Sequence, residues 1–196
     1  MVDVFSKRLA AWRSYTDSPW GRIRYAVVEE TLRRETSKLG PELRILDVGG
    51  GDGMDSLPLA RAGHDVTILD QSSSWLEEAR RRAGEAGVRV QTVQGDLGDA
   101  PPLPEFDVVL CHFVLQYRPA GTRDLAVLAD YTRRGGLVSV MLPNPASMVL
   151  RQLVLDGPCA ALKELDAETK HAVTFDHTVR KIPMNELEDA LAALRR

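Results

Sequence analysis

The residues best suited to chemistry lie in the stretch ILDVGGGDGMDS (45–56), where Asp47, Gly49, Gly50, Gly51 and Gly53 follow a short apolar run. Glycines in such a place let a backbone approach a ligand that any Cβ would exclude. A Gly-rich turn between a first parallel strand and a helix is a ligand-binding position. The spacing limits the ligand. A dinucleotide pyrophosphate calls for GxGxxG, but Met54 or Ser56 stands where the third glycine would have to be. No GK[ST] follows, so a P-loop is also excluded. Asp70 ends the next apolar run, where a carboxylate can accept both hydroxyls of a ribose. His112 ends a fourth run, FDVVLCH (106–112), at the C-terminal strand end where open α/β sheets bind ligands. It is the leading polar candidate for chemistry and can serve as a general base where an acceptor loses a proton. His171 and His177 lack metal-ligand spacing, and no metal site is expected.

These residues need a scaffold. Short runs rich in valine, isoleucine and leucine occur at 44–49, 65–70, 89–94, 106–112 and 136–141. They suit strands buried on both faces. Helical patterns fill 54–62, 73–86 and 121–133, and the alternation predicts a parallel sheet with right-handed crossovers. Two helices precede the first strand, at 3–12 and 18–38. Helices are expected at 146–156 and 158–170, an irregular stretch at 171–183, and a last helix at 186–195 opened by Asn185 and Glu188 as a capping box. Ser72 or Ser73 should cap the helix after Asp70. The fold class is therefore α/β, a doubly wound, mostly parallel sheet with N-terminal helices. One domain is expected over 1–196, with a helical cap (1–40), a core (41–142) and acceptor-side helices (143–196).

Composition narrows the function classes. The 196 residues are 44% hydrophobic and 27% charged, with net charge −3, an ordinary globular balance that advertises no nucleic-acid surface. The clusters Arg80-Arg81-Arg82 and Arg133-Arg134 read as solvated faces. No apolar run approaches the length of a membrane span, and the start MVDVFSKRLAAW has no secretory pattern. Cys111 sits in an apolar run and Cys159 is remote from it, which calls for no oxidising compartment. A cytoplasmic location is expected.

Taken together, DxGxGxG (47–53), Asp70, QGDL (94–97), FDVVLCHFVLQY (106–117) and RRGGLVSVM (133–141) resemble, in order, the motifs of class I S-adenosylmethionine (SAM) dependent methyltransferases. The resemblance covers residues 15–142 and implies strand order 3-2-1-4-5 with SAM as cofactor. It implies that Asp47, Gly49, Gly50, Gly51 and Gly53 hold the methionine end and that Asp70 and Gln71 hold the ribose. Asp96 and Leu97 then lie toward the adenine, His112 contacts the cofactor, and Trp75 packs either on the adenine or in the core. SPWGRIRYAV (18–27) resembles a G-x-[IL]-R element of the tRNA carboxymethoxyuridine methyltransferase family. This puts Arg24 on the SAM carboxylate, where a guanidinium fork is the right chemistry.

Similarity to that family extends along CHFVLQY, GLVSVMLPNP with RQLVLDG, and DHTVRKIPMNELEDALAAL. Two departures matter. The lysine-rich run of the family is replaced by DAETKHAVTFDH, nearly neutral, which removes phosphate contacts a tRNA would need. The C-terminal antiparallel strand pair usual in the class is missing after the last helix. The expected reaction is methyl transfer to an O or N acceptor by in-line displacement, with a small-molecule acceptor preferred. A tRNA wobble-uridine carboxylate and a non-catalytic SAM-binding partner subunit are the alternatives. Tyr15, Tyr117, Asn144 and His177 are candidates to line the acceptor pocket. A homodimer is one way to cover the fifth strand.

Overall fold

The structure is a computed structural model, and it describes residues 9–99, 102–172 and 176–194. Helices α1 (Leu9–Asp17) and α2 (Pro19–Thr36) lead into β1 (Arg44–Val48), α3 (Leu57–Arg61), β2 (Asp65–Asp70), α4 (Ser73–Glu85) and β3 (Gln91–Gln94). Then come β4 (Phe106–His112), α5 (Leu125–Asp130), β5 (Thr132–Met141), α6 (Pro145–Asp156) and α7 (Pro158–Asp166). Strands β6 (Thr169–Ala172) and β7 (His177–Arg180) and helix α8 (Met184–Leu194) complete the described elements. The main sheet is parallel throughout, in order β3-β2-β1-β4-β5. The order reverses between β1 and β4, so their C-terminal ends part and leave the crevice in which such sheets bind ligands.

The strands are apolar on both sides because both sides are covered. Ile45, Ile68, Val108 and Leu110 pack under Val28 and Leu32 of α2, Leu59 of α3 and Leu76 of α4. Leu46, Val48, Val109 and Cys111 pack on the other face against Leu125 and Leu128 of α5, with Leu187 and Leu191 of α8 alongside. Each such side chain contributes about 1.5–3 kcal/mol on burial. Helix α2 starts sharply because the Ser18 hydroxyl accepts from the Gly21 N–H and Pro19 fills the first turn.

Several boundaries differ from the sequence reading. The stretch expected to be irregular, 171–183, contains most of an antiparallel hairpin, β6–β7, and α7 stops at Asp166 to let it begin. Its strands are short and polar, with Val179 the one fully buried side chain in them, so no alternation rises above the background. An antiparallel pair is thus present, but upstream of α8 and separate from the main sheet; β5 is an edge strand among the described residues. β5 begins at Thr132, before its glycines, and α5 is cut short by a 3-10 turn at Gly121–Asp124. Ser72 is the N-cap residue of α4, but its side chain makes no capping bond. Asn185 lies inside α8 and does not cap it. Arg82 is not a solvated arginine. It lies 3.2 Å from both Asp52 and Glu78, with 22% of its side chain exposed. Arg133 pairs with Asp107.

Candidate functional site

The turn after β1 is built around a buried acid. A Cβ placed on Gly50 would lie 2.5 Å from the Asp47 carboxylate, so only glycine lets the chain cross over it. Gly51 sits at φ +55°, a conformation that side chains resist, and its amide donates to Asp70 Oδ2 at 3.0 Å. A Cβ on Gly49 would lie 2.5 Å from Val114, and one on Gly53 would lie 3.0 Å from Ile68 and 3.2 Å from Leu57. Asp47 is 2% exposed, and burial raises its carboxyl to about 7.

Arg24 reaches this turn from α2. Its Nη2 donates to Asp55 Oδ2 at 2.8 Å, and its guanidinium lies 4.2 Å from the Tyr25 ring centre and 4.7 Å from that of Phe113. Burial raises the Tyr25 hydroxyl far above its ordinary range. His112, from the end of β4, places Nδ1 3.1 Å from the same Asp55 oxygen and Nε2 2.9 Å from Ser139 Oγ of β5. Next to it, Phe113 holds φ +58°, a strained value for a bulky residue. Buried atoms with no hydrogen-bond partner converge here: Arg24 Nε and Nη1, Asp47 Oδ2 and Asp55 Oδ1. Unmet donors and acceptors of both charges in one place call for a ligand that carries both.

Along the β2 edge, Asp70 also accepts from the Ser72 amide at 2.9 Å. Gln71 is exposed, and Trp75 is 5% exposed, against Gly51 and edge-on to Trp12 at 6.0 Å. Trp75 therefore belongs to the core and to the wall of the turn at once. Leu97 is buried beside Asp96. Burial raises the Asp96 carboxyl, but the Gly98 amide and Arg118 outweigh it and hold the group below its ordinary value. On the far side, Tyr117 and His177 meet, with ring centres 5.9 Å apart, and burial pushes the Tyr117 hydroxyl up to about 12. Tyr15 packs on Trp12 instead, at 5.6 Å. Asn144 is exposed and caps α6 by accepting from the Ala146 amide. Two of the four acceptor candidates are thus brought together, and two are not. Among the described residues no metal-binding cluster is found.

Residues 45–136 match a family described as methyltransferase domain. The chain is similar to magnesium protoporphyrin IX methyltransferase from Synechocystis PCC 6803 with bound SAH, at TM-score 0.67 and 20% identity over 96% of this chain and 84% of that one. Residues 45–136 are a methyltransferase domain, on a sheet with the strand order of the Rossmann-like methyltransferase fold. The chain is 29% identical to tRNA 5-carboxymethoxyuridine methyltransferase of Escherichia coli (strain K12) over 68% of this chain and 53% of that protein. It is 37% identical to ubiquinone biosynthesis O-methyltransferase of Rickettsia conorii (strain ATCC VR-613 / Malish 7) over 74% of this chain and 50% of that protein. The chain spans about half the length of these curated relatives.

The methyltransferase domain fits SAM on the chemistry of its donors. The open donors of Arg24 match a carboxylate, and the open oxygens of Asp47 and Asp55 match an ammonium. Asp55, Phe113, Arg118 and Ser139 went unnoticed in the sequence. Asp55 stands in the glycine stretch and reads as loop. Ser139 gives one usable signal, as a polar residue within an apolar strand. Phe113 gives none, since nothing in its type foretells a positive φ.

Proposed function

We propose that this chain transfers a methyl group from SAM to an O or N atom of a small-molecule acceptor. The observation that carries the reading is the set of buried, unpartnered atoms of both charges around the glycine turn. When bound, SAM supplies an electrophilic methyl on a sulfonium. The chain's own residues bind and orient. Arg24 holds the amino-acid carboxylate, and Asp47 holds the ammonium. Asp70 with Gln71 receives the ribose hydroxyls, Asp96 and Leu97 meet the adenine, and Trp75 walls the turn. His112 contacts the cofactor and manages a proton. Burial of Asp47, Trp75 and His112 excludes water from the donor side. Tyr117 and His177 line the acceptor side.

A small molecule is favoured over tRNA by the ion pairs of the acceptor side. Arg180 is held by Glu186 at 2.7 Å, Lys181 by Glu164 at 2.8 Å, and Arg118 by Asp96 and Asp124. Cations already matched by carboxylates offer little to a phosphate backbone. The similarity to the Escherichia coli tRNA enzyme keeps a wobble uridine as the second reading. Purified protein with methyl-labelled SAM, offered phenols, amines, carboxylic acids and unmodified tRNA in parallel, tests both. Label in small products supports the proposal, label in tRNA alone replaces it with the second reading, and label in neither contradicts methyl transfer to these classes.

A further inference from the structure

The side chain of His112 is 4% exposed, and both of its ring nitrogens are engaged within the chain. It therefore has no nitrogen to offer an acceptor directly. Its partners fix which nitrogen carries the proton. An ionised carboxylate only accepts, and Asp55 Oδ2 already takes the Arg24 Nη2–H. The Nδ1 facing Asp55 must then be the protonated nitrogen, and Nε2 accepts from the Ser139 hydroxyl. Arg24, Asp55, His112 and Ser139 form one line of hydrogen bonds from the cofactor clamp to the fifth strand. Ser139 is only half-buried and stands between Leu137 and Met141, which share its side of β5 and pack on the core. Ser139 is the group that covers Nε2.

We propose that Asp55 and Ser139 are positioning residues for His112: Asp55 locks the Nδ1–H tautomer, and Ser139 is the outlet through which His112 takes up a proton. A proton leaving an acceptor O–H or N–H passes to Ser139 Oγ while the Ser139 proton passes to Nε2. The imidazolium so formed rests against the Asp55 carboxylate, which it shares with Arg24. The purpose of the relay rests on the methyl-transfer reading, but the tautomer does not.

The test is long-range proton–nitrogen NMR of the full chain carrying 15N-histidine, with and without S-adenosylhomocysteine (SAH). The His112 signals are assigned with His112→Gln. Wild type should show Nδ1 protonated and Nε2 bare. In Asp55→Ala the two nitrogens should exchange character, with Nε2–H now donating to Ser139. Asp55→Asn should keep the wild-type tautomer, because an amide oxygen still accepts, and it serves if Asp55→Ala does not fold. Ser139→Ala should also keep it, while the Nε2 signal moves on losing its donor. A wild-type Nε2–H tautomer overturns the proposal, as does an unchanged tautomer in a folded Asp55→Ala or an unmoved Nε2 signal in Ser139→Ala. Failure of the methyltransferase reading would appear separately, as absence of any SAH-dependent change in the same samples.

Discussion

The turn after β1 and the α6–α7 pair sit at opposite extremes of packing. Around the turn, Asp47, Asp52 and Ser56 are buried in the main core, and even the reach of Arg24 is closed over by Tyr25 and Phe113. In α6 no residue is buried, and Val154 is 81% exposed. The donor side is thus a product of the fold itself, since the strands that build the core also aim the turn. The side proposed to take the acceptor is attached to the surface through β6–β7 and α6–α7, where sequence can vary without cost to the sheet. Such a division suits one cofactor and many acceptors.

The contrast can be broken most forcefully at Gly50. Gly50→Val drives a side chain into the Asp47 carboxylate, and we expect about 2–4 kcal/mol of destabilisation with no measurable SAH binding. Thermal unfolding and calorimetry would read both, and wild-type values would show that the turn is not tight. Next comes Arg24→Met, expected to weaken SAH about 100-fold through loss of charge-assisted hydrogen bonds. Affinity within threefold of wild type would remove Arg24 from the clamp.

Asp47 gives a pH signature. Its ordinary value is 3.8 and its folded value about 7. The unfolded chain therefore ionises first, and the ligand-free protein should lose stability as pH rises from about 4 to about 7 and then level off. Asp47→Asn should abolish that slope. An ammonium placed beside Asp47 favours its ionised form, so SAH binding should expel a proton and tighten as pH rises through about 7. Calorimetry in buffers of different ionisation enthalpy counts that proton, and no release would place the ammonium elsewhere. On the other side of the comparison, His177→Ala should leave SAH affinity within about twofold while lowering acceptor turnover. The smallest effect belongs to Val154→Gln, expected to shift stability by no more than about 0.5 kcal/mol in denaturant unfolding.

The same division explains what could be read from sequence. Strands β1, β2 and β4 are legible because burial on both faces forces near-continuous apolar runs, and Gly49, Gly50, Gly51 and Gly53 are legible because glycine alone suits a turn this tight. The hairpin β6–β7 was not, since four-residue polar strands carry no usable period. The Asp55–His112–Ser139 line was not, because it joins a turn to two strands, β4 and β5, and depends on tertiary placement. Asn144 and Tyr15 were marked by type alone, and the fold uses the first as a helix cap and packs the second against Trp12.

In the proposed function the glycine turn and Asp70 together receive SAM. This role is tested most directly by calorimetric titration of SAH into wild type and Asp70→Ala, both checked for native unfolding behaviour. Wild type should bind one equivalent, and Asp70→Ala should bind at least about 30-fold more weakly, since a carboxylate that accepts from ribose contributes about 1.5–3 kcal/mol per bond. Equal affinity in the two proteins, or no binding to wild type, would contradict the account.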